Sequence, residues 1–409
     1  MQTVTPHNKN TNESPELVQK TLYSILFTIS FAHFINDLLQ AIIPSVYPLF
    51  KEKFQLSFAQ IGMITFTYQL TASILQPFVG MYTDKKSKPF SLIIGMTFTL
   101  VGLFFVSVAN SFTYLLISVS LIGIGSSIFH PESSRVAHLA SGGKKGLAQS
   151  IFQLGGNAGS AIGPLLAALI IMPNGQYYII YFCLIALIGI FVLYKIGIWY
   201  RQHLESKRVN KTVETIINHH LSRKKVVSSL IVLLILIFSK YFYLTSITSY
   251  YTFFLIEKFH VSIQESQLYL FAFLGAVAIG TVIGGPLGDT FGRKYVIWVS
   301  ILGVAPFTLL LPYVPLFWVG ILSVIIGLIL SSAFSAILVY ATELLPGKVG
   351  LVAGLFFGFA FGMAGVGSAI LGKLADITSI EYVFQVCAFL PLIGIITGFL
   401  PNIENRKKN

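Results

Sequence analysis

The sequence predicts an all-α membrane protein, with twelve transmembrane helices in two pseudo-symmetric six-helix bundles. Three observations lead there. Of the 409 residues, 55% are hydrophobic and only 10% charged, against about 25% charged in a soluble domain; the mean hydropathy is +0.79. Apolar runs recur from Leu22 to Leu400, each near the roughly 20 residues that cross a hydrocarbon core as a helix. Lipid offers backbone groups no partner, so such runs must be helical. Finally, the chain has a polar midpoint. Tyr200–Lys225 holds seven of the 27 Lys and Arg residues and three of the eight His, with apolar flanks of nearly equal length.

The runs place spans at 22–50, 57–82, 89–109, 111–135, 147–171, 176–199, 226–257, 265–288, 295–312, 315–344, 348–375 and 381–400. They divide the chain into a tail (1–21), a first bundle (22–199), a basic linker (200–225), a second bundle (226–401) and a short tail (402–409). With both termini in the cytoplasm, 21 basic residues lie on the cytoplasmic side. Only four lie outside: Lys51, Lys53, Lys258 and Lys373. Cytoplasmic loops carry such an excess, so the net charge of +12 records topology rather than a nucleic-acid partner. Met1–Lys20 is polar and lacks the apolar core of a signal peptide, so it reads as a disordered cytoplasmic tail. Cys183 and Cys387 fall inside spans and are too few for a disulfide framework or a metal site. No metal or organic cofactor is expected.

In chain order, span 1 puts His33, Asn36, Asp37, Gln40 and Pro44 on one helical face, by spacings of three and four. Asp37 sits ~22 Å along the helix at ~1.5 Å per residue, deep in the bilayer, where a carboxyl usually faces a cavity. Asp37 and His33 are therefore proton-coupling candidates; Asn36 and Gln40 are candidate substrate contacts. The loop after span 2 carries Gly80 and Asp84. Gly80 permits close helix packing, and Asp84 can face the positive N-terminus of a neighbouring helix. Span 4 ends in Phe129–Arg135, FHPESSR. His130 and Glu132 join the proton-coupling candidates there, and Arg135 the substrate contacts, all expected near the cytoplasmic mouth. Span 5 carries Gly159, Gly163 and Pro164: small residues let helices approach, and Pro164 favours a bend.

The second half repeats these features. Gly285 and Asp289 lie 205 positions after Gly80 and Asp84, and are followed by Gly292 and Arg293. Gly350-Leu351 lies 204 after Gly146-Leu147. Duplicated six-helix halves give this pattern. Span 7 contains Lys240 beside Tyr241 and Tyr243, at a depth similar to Asp37 in span 1. A lysine there can attract an anion, or it can form a static pair with Asp37. Glu343 closes span 10 and reads as structural. No activated nucleophile, oriented base and oxyanion donors converge, so the chain is not expected to be an enzyme.

The loop set Gly285, Asp289, Gly292, Arg293 and Lys294 resembles the loop signature of the major facilitator superfamily. The earlier copy is degraded, with Ser87 and Pro89 at two of its places. The glycine series of span 5 is similar to that superfamily's antiporter motif. Span 4 departs from its exporters, with Val119 and Ile122 where Arg and Gln are common. A narrower resemblance is to the fosmidomycin resistance protein family, carried by HFINDLLQ, GSSIFHPESSRVAHLASGG, FSKYFYLTSITSYYTFFL and SAFSAILVYATELLPG. It extends from Leu22 to about Pro401.

That resemblance implies a monomeric pump of the bacterial inner membrane, a proton-coupled antiporter. It would export a small anionic drug, such as the phosphonate fosmidomycin, by alternating access. Spans 1, 4, 7 and 10 are expected to line the cavity, with 3, 6, 9 and 12 facing lipid. An importer of an organic anion or sugar phosphate, by symport or exchange, is the nearest rival. A membrane sensor or enzyme is remote, since the longest internal polar stretch is the linker.

Overall fold

A computed structural model describes residues 21–209 and 221–403. The expected tails (1–20, 404–409) and the middle of the linker (210–220) lie outside the described residues. So do the side chains of Lys207, Arg208, Val209, Pro286 and Asp289, and the surroundings of Gly285.

Twelve helical spans follow in order among the described residues. They are α1 (Tyr23–Ser45, continued by Tyr47–Phe54), α2 (Phe58–Lys85), α3 (Ser91–Val108), α4 (Phe112–Leu139) and α5 (Lys145–Leu166). Then come α6 (Phe182–Val209), α7 (Arg223–Phe259) and α8 (Ile263–Phe291). The last four are α9 (Arg293–Leu302 and Ala305–Leu310), α10 (Leu316–Ser331 and Ala333–Leu344), α11 (Val349–Ile377) and α12 (Ile380–Cys387, then a 3-10 stretch Leu390–Phe399). Serine side chains cap several starts by accepting from the backbone: Ser57, Ser111, Ser222, Ser262 and Ser379. α6 continues through Val209, so the polar midpoint begins as helix rather than as loop. Pro164, where a bend is expected, lies inside α5, and a π turn, Ala167–Ile171, follows directly.

The duplication is imprinted in the backbone. Gln55 and His260 end α1 and α7 in the left-handed region, with φ of 52° and 56°. They are 205 positions apart, as are the caps Ser57 and Ser262. Gly143 and Gly347, 204 apart, turn the chain into α5 and α11 with φ of 88° and 76°. Only glycine adopts such angles without a Cβ penalty.

Eleven of these spans are long and apolar enough to cross a membrane; α2 is the exception. It has the length, at 28 residues, but carries Gln60, Thr65, Gln69, Thr71, Ser73 and Gln76. Its polarity is sheltered by α11, which runs antiparallel against it from end to end. Gly62 abuts Ser368, Gln69 abuts Gly365, Ser73 abuts Gly358, and Gly80 abuts Gly350. The other seam between the halves is α5 against α8, where Asn157 donates to the Thr281 hydroxyl at 2.5 Å. Large apolar side chains face outward from α3, α6, α9 and α12, among them Ile94, Phe191, Val299 and Ile395.

Within the first half, α5 lies directly on α1. A Cβ at Gly159 would stand 2.1 Å from the Phe34 carbonyl oxygen and 2.9 Å from the Leu38 nitrogen. These are backbone atoms and cannot swing aside. Gly159→Ala is therefore expected to cost about 1–3 kcal/mol by overpacking and to lower the Tm of purified protein. An unchanged Tm would show that α5 separates from α1 freely.

Candidate functional site

The halves enclose a cavity of about 220 Å³. That is smaller than the ~300–1,000 Å³ typical of drug-sized pockets, so it suits a small solute. α1, α4, α7 and α10 line it as expected, and α2, α5, α8 and α11 also contribute. Among the described residues, none that lines it comes from α3, α6, α9 or α12.

Asp37 is the centre of its polar wall. His33 Nε2 lies 3.2 Å from one carboxylate oxygen and His130 Nε2 lies 3.6 Å from the other. Asn36 donates to Asp37 at 2.9 Å from behind. The far nitrogen of each imidazole meets a backbone carbonyl, which can only accept: His33 Nδ1 lies 2.8 Å from Phe152 and His130 Nδ1 lies 3.1 Å from Ser126. His33 Nδ1 therefore carries the hydrogen, and its Nε2 turns a lone pair toward the carboxylate; His130 Nδ1 also lies 3.2 Å from the Ser126 hydroxyl, which can donate to it, so either of its nitrogens can carry the hydrogen. The His33 contact becomes a hydrogen bond only when a further proton resides in the cluster. A chain of polar groups continues from it: the Ser126 hydroxyl reaches Gln40 at 3.4 Å, and the Tyr68 hydroxyl donates to the same Gln40 oxygen. Phe357 and Phe361 of α11 cover His130, with ring centroids 5.1 and 4.9 Å away.

Lys240 lines the same cavity and is 3% exposed. The alternative of a static pair with Asp37 is absent among the described residues. Among the described residues the ammonium makes no hydrogen bond or ion pair. It lies over the rings of Tyr241 and Phe334, 5.8 and 5.6 Å from their centroids. Cation–π contacts of this kind offer about 0.5–2 kcal/mol and leave the charge without a counter-ion.

The sequence candidates thus divide. His33, Asp37, Gln40, His130, Lys240 and Tyr241 share the cavity. Asn36 and Tyr243 are buried but do not line it. Glu132 and Arg135 also stand apart from it. Residues two apart on a helix point roughly 200° from each other, so His130 turns inward while Glu132 turns toward α3. There Glu132 lies 3.5 Å from Arg135 Nε and within 3.4 Å of the Ser91 hydroxyl. Arg135 pairs with Asp84 and donates to the Thr83 carbonyl.

That pair belongs to a latch at the end where α6 stops and α7 begins, called here the linker end. Asp84 accepts from the backbone N–H of Gly350 at 3.1 Å and Leu351 at 2.8 Å, the first turn of α11. This is the helix-terminus role its sequence position suggests. Gly80 is required beside it, since a Cβ would stand 2.2 Å from the Gly350 oxygen. In the second half Arg293 pairs with Glu343 at 2.5 Å.

The opposite end carries a reciprocal latch. Asp376, near the end of α11, accepts from Phe58 N at 3.0 Å and Ala59 N at 2.9 Å, the first turn of α2. Loss of a carboxylate at a helix start costs about 0.5–2 kcal/mol. Asp376→Ala should therefore favour separation at this end by roughly 2- to 30-fold. Spin labels at Glu52 and Thr378, in a background lacking both cysteines, would report it as a longer distance population. An unmoved distribution would remove Asp376 from gating.

Sequence reasoning missed Asp376, and within the cavity Tyr68, Gln69, Gln153, Asn157, Phe357 and Phe361. A signal existed for some: Gln149, Gln153 and Asn157 form a polar stripe at spacings of four along α5. None existed for the two phenylalanines, which look like any other apolar residues of a span.

The sequence profile of the Major Facilitator Superfamily matches residues 29–262 and 233–409. Over 391 residues the chain is 61% identical to the fosmidomycin resistance protein of Escherichia coli (strain K12), covering 95% of each chain. It is 43% identical, with the same coverage, to the uncharacterised MFS-type transporter YfnC of Bacillus subtilis (strain 168). Among solved structures, the E. coli fucose:proton symporter FucP aligns with a TM-score of 0.66 at 15% identity, over 93% of this chain and 98% of that one. A bacterial homologue of the human lysosomal transporter Spinster, inward-facing and occupied, aligns with a TM-score of 0.65 at 16% identity, over 92% and 94%. At these identities both structures bear on the fold alone.

Proposed function

Because this chain belongs to the major facilitator superfamily, and within it to the fosmidomycin resistance family, we propose that it is a proton-coupled antiporter of the bacterial inner membrane. It exports a small anionic drug such as fosmidomycin, with the linker end and both termini in the cytoplasm. The observation that carries this reading is one cavity holding a buried ammonium without a counter-ion and a carboxylate gripped by two imidazoles. Lys240 attracts the anion, with Gln40 and Tyr241 beside it. The His33–Asp37–His130 cluster takes and returns the proton. Access alternates as the halves part along the α2–α11 and α5–α8 seams, with the Asp84 latch released on one side and the Asp376 latch on the other. The basic residues concentrated at the linker end support the orientation.

One physical feature favours the symport rival enough to require a test. A proton added to the cluster makes the cavity more positive, which strengthens anion binding by itself. Antiport therefore requires drug and proton to exclude each other. The test is uptake of fosmidomycin into everted vesicles with an acid interior. Accumulation that a protonophore abolishes supports export. No accumulation, in vesicles shown to contain folded protein, defeats the reading; uptake into right-side-out vesicles driven by an inward proton gradient would replace it with import.

A further inference from the structure

We propose that His33, Asp37 and His130 form a binding site for a divalent transition-metal ion of the zinc, cobalt and nickel type, open to the transport cavity. Two imidazoles and a carboxylate are a ligand set that suits these ions. Their donor atoms all lie within 4.8 Å of one another. Bonds of about 2.0–2.2 Å in a tetrahedral site set neighbouring ligands roughly 3.3–3.5 Å apart. The two histidine–aspartate separations, 3.2 and 3.6 Å, are of that size but run to opposite carboxylate oxygens, so the carboxylate has to turn one oxygen toward both rings. The two imidazoles also need to draw closer, within the 4.8 Å that spans the cluster.

A second observation points to a ligand. His33 Nε2 is buried and faces the Asp37 carboxylate at 3.2 Å without a hydrogen bond in that contact, and its residue is 2% exposed. The outer support of a metal site is also in place. The Phe152 carbonyl holds the His33 Nδ1–H, and the Ser126 carbonyl and hydroxyl hold the His130 Nδ1, which orients each ring with its Nε2 inward, as outer partners of metal-bound histidines do. α5 closes the back of the cluster: even a Cβ at Gly156 would stand 2.5 Å from the His33 ring and 2.6 Å from Asp37. Entry is from the cavity, toward which Asp37 keeps 19% of its side chain exposed. The remaining coordination position faces that space, where water or an anionic oxygen can sit. All three ligands come from α1 and α4 of one half, so binding needs no movement between halves.

The ion would stand on the polar wall of the cavity, where His33, Asp37 and His130 all line it, and block turnover. The binding claim stands apart from the transport reading; only the block rests on it. The test is titration of the purified, metal-stripped full chain, carried on an affinity tag without histidine. Cobalt(II) is followed by its visible absorption and zinc(II) by calorimetry. One cobalt per chain is expected, displaced by zinc, with affinity lowered at least about tenfold in both His33→Gln and His130→Gln. Monodispersity and Tm check the fold, and if one variant fails to fold the other decides. Absence of stoichiometric cobalt binding would overturn the proposal. So would binding that survives unchanged in the folded histidine variants, since the ion would then sit elsewhere. Zinc bound as expected without inhibition of drug uptake would retain the site and remove the block.

Discussion

Asp37→Asn is expected to abolish pH-driven accumulation of the drug. If one proton is exchanged per drug, a gradient of about two pH units supports roughly 100-fold accumulation, since each unit is worth about 1.36 kcal/mol. The variant keeps the size of the side chain and its contact with Asn36, but it can neither take nor release a proton. Its accumulation ratio should be near one in everted vesicles, with or without the gradient. The same variant separates antiport from symport. Asparagine imitates the protonated carboxyl, so antiport predicts weaker drug binding than in the parent and symport predicts stronger. A full 100-fold ratio in Asp37→Asn would remove the proton role from this residue and leave the two histidines to carry it.

Lys240→Met should abolish recognition of the anion rather than its coupling. Methionine keeps much of the apolar stem and removes the charge that lies over the Tyr241 and Phe334 rings. Truncating one member of a buried charge pair costs about 2–5 kcal/mol, so the drug Kd should rise roughly 30- to several-thousand-fold. Lys240→Arg should recover part of the loss. Calorimetry on purified protein reads the effect directly. A Kd close to that of the parent would mean that the anion is held elsewhere in the cavity.

Much of the architecture was legible because the bilayer imposes simple demands. Span length, the charge asymmetry and the 204–205 offset placed the helices, and the offset reappears in the backbone at Gln55 and His260. The face His33–Asp37–Gln40 was legible because polar residues stand out in an apolar run. The pairing of Asp37 was not. Sequence put it opposite a lysine of matching depth, whereas His130 of α4 engages it. FHPESSR reads as one cluster on paper, but helical periodicity sends His130 to the cavity and Arg135 to the linker-end latch. Asp376 gave no signal because a lone aspartate at a helix end is common; its role depends on α2 starting beside it, 318 positions earlier in the chain.

The polarity of α2 has a consequence for biosynthesis. A segment that partitions weakly into lipid is a poor passenger for a translocon, and its shelter, α11, is encoded far downstream. Roughly 260 residues separate the end of α2 from the start of α11, or about 13–50 s of synthesis at roughly 5–20 residues per second. Until then α2 has to be held by its own half or by an insertion chaperone. The first half expressed alone should therefore be the fragile fragment, and supplying the second half as a separate chain should rescue it.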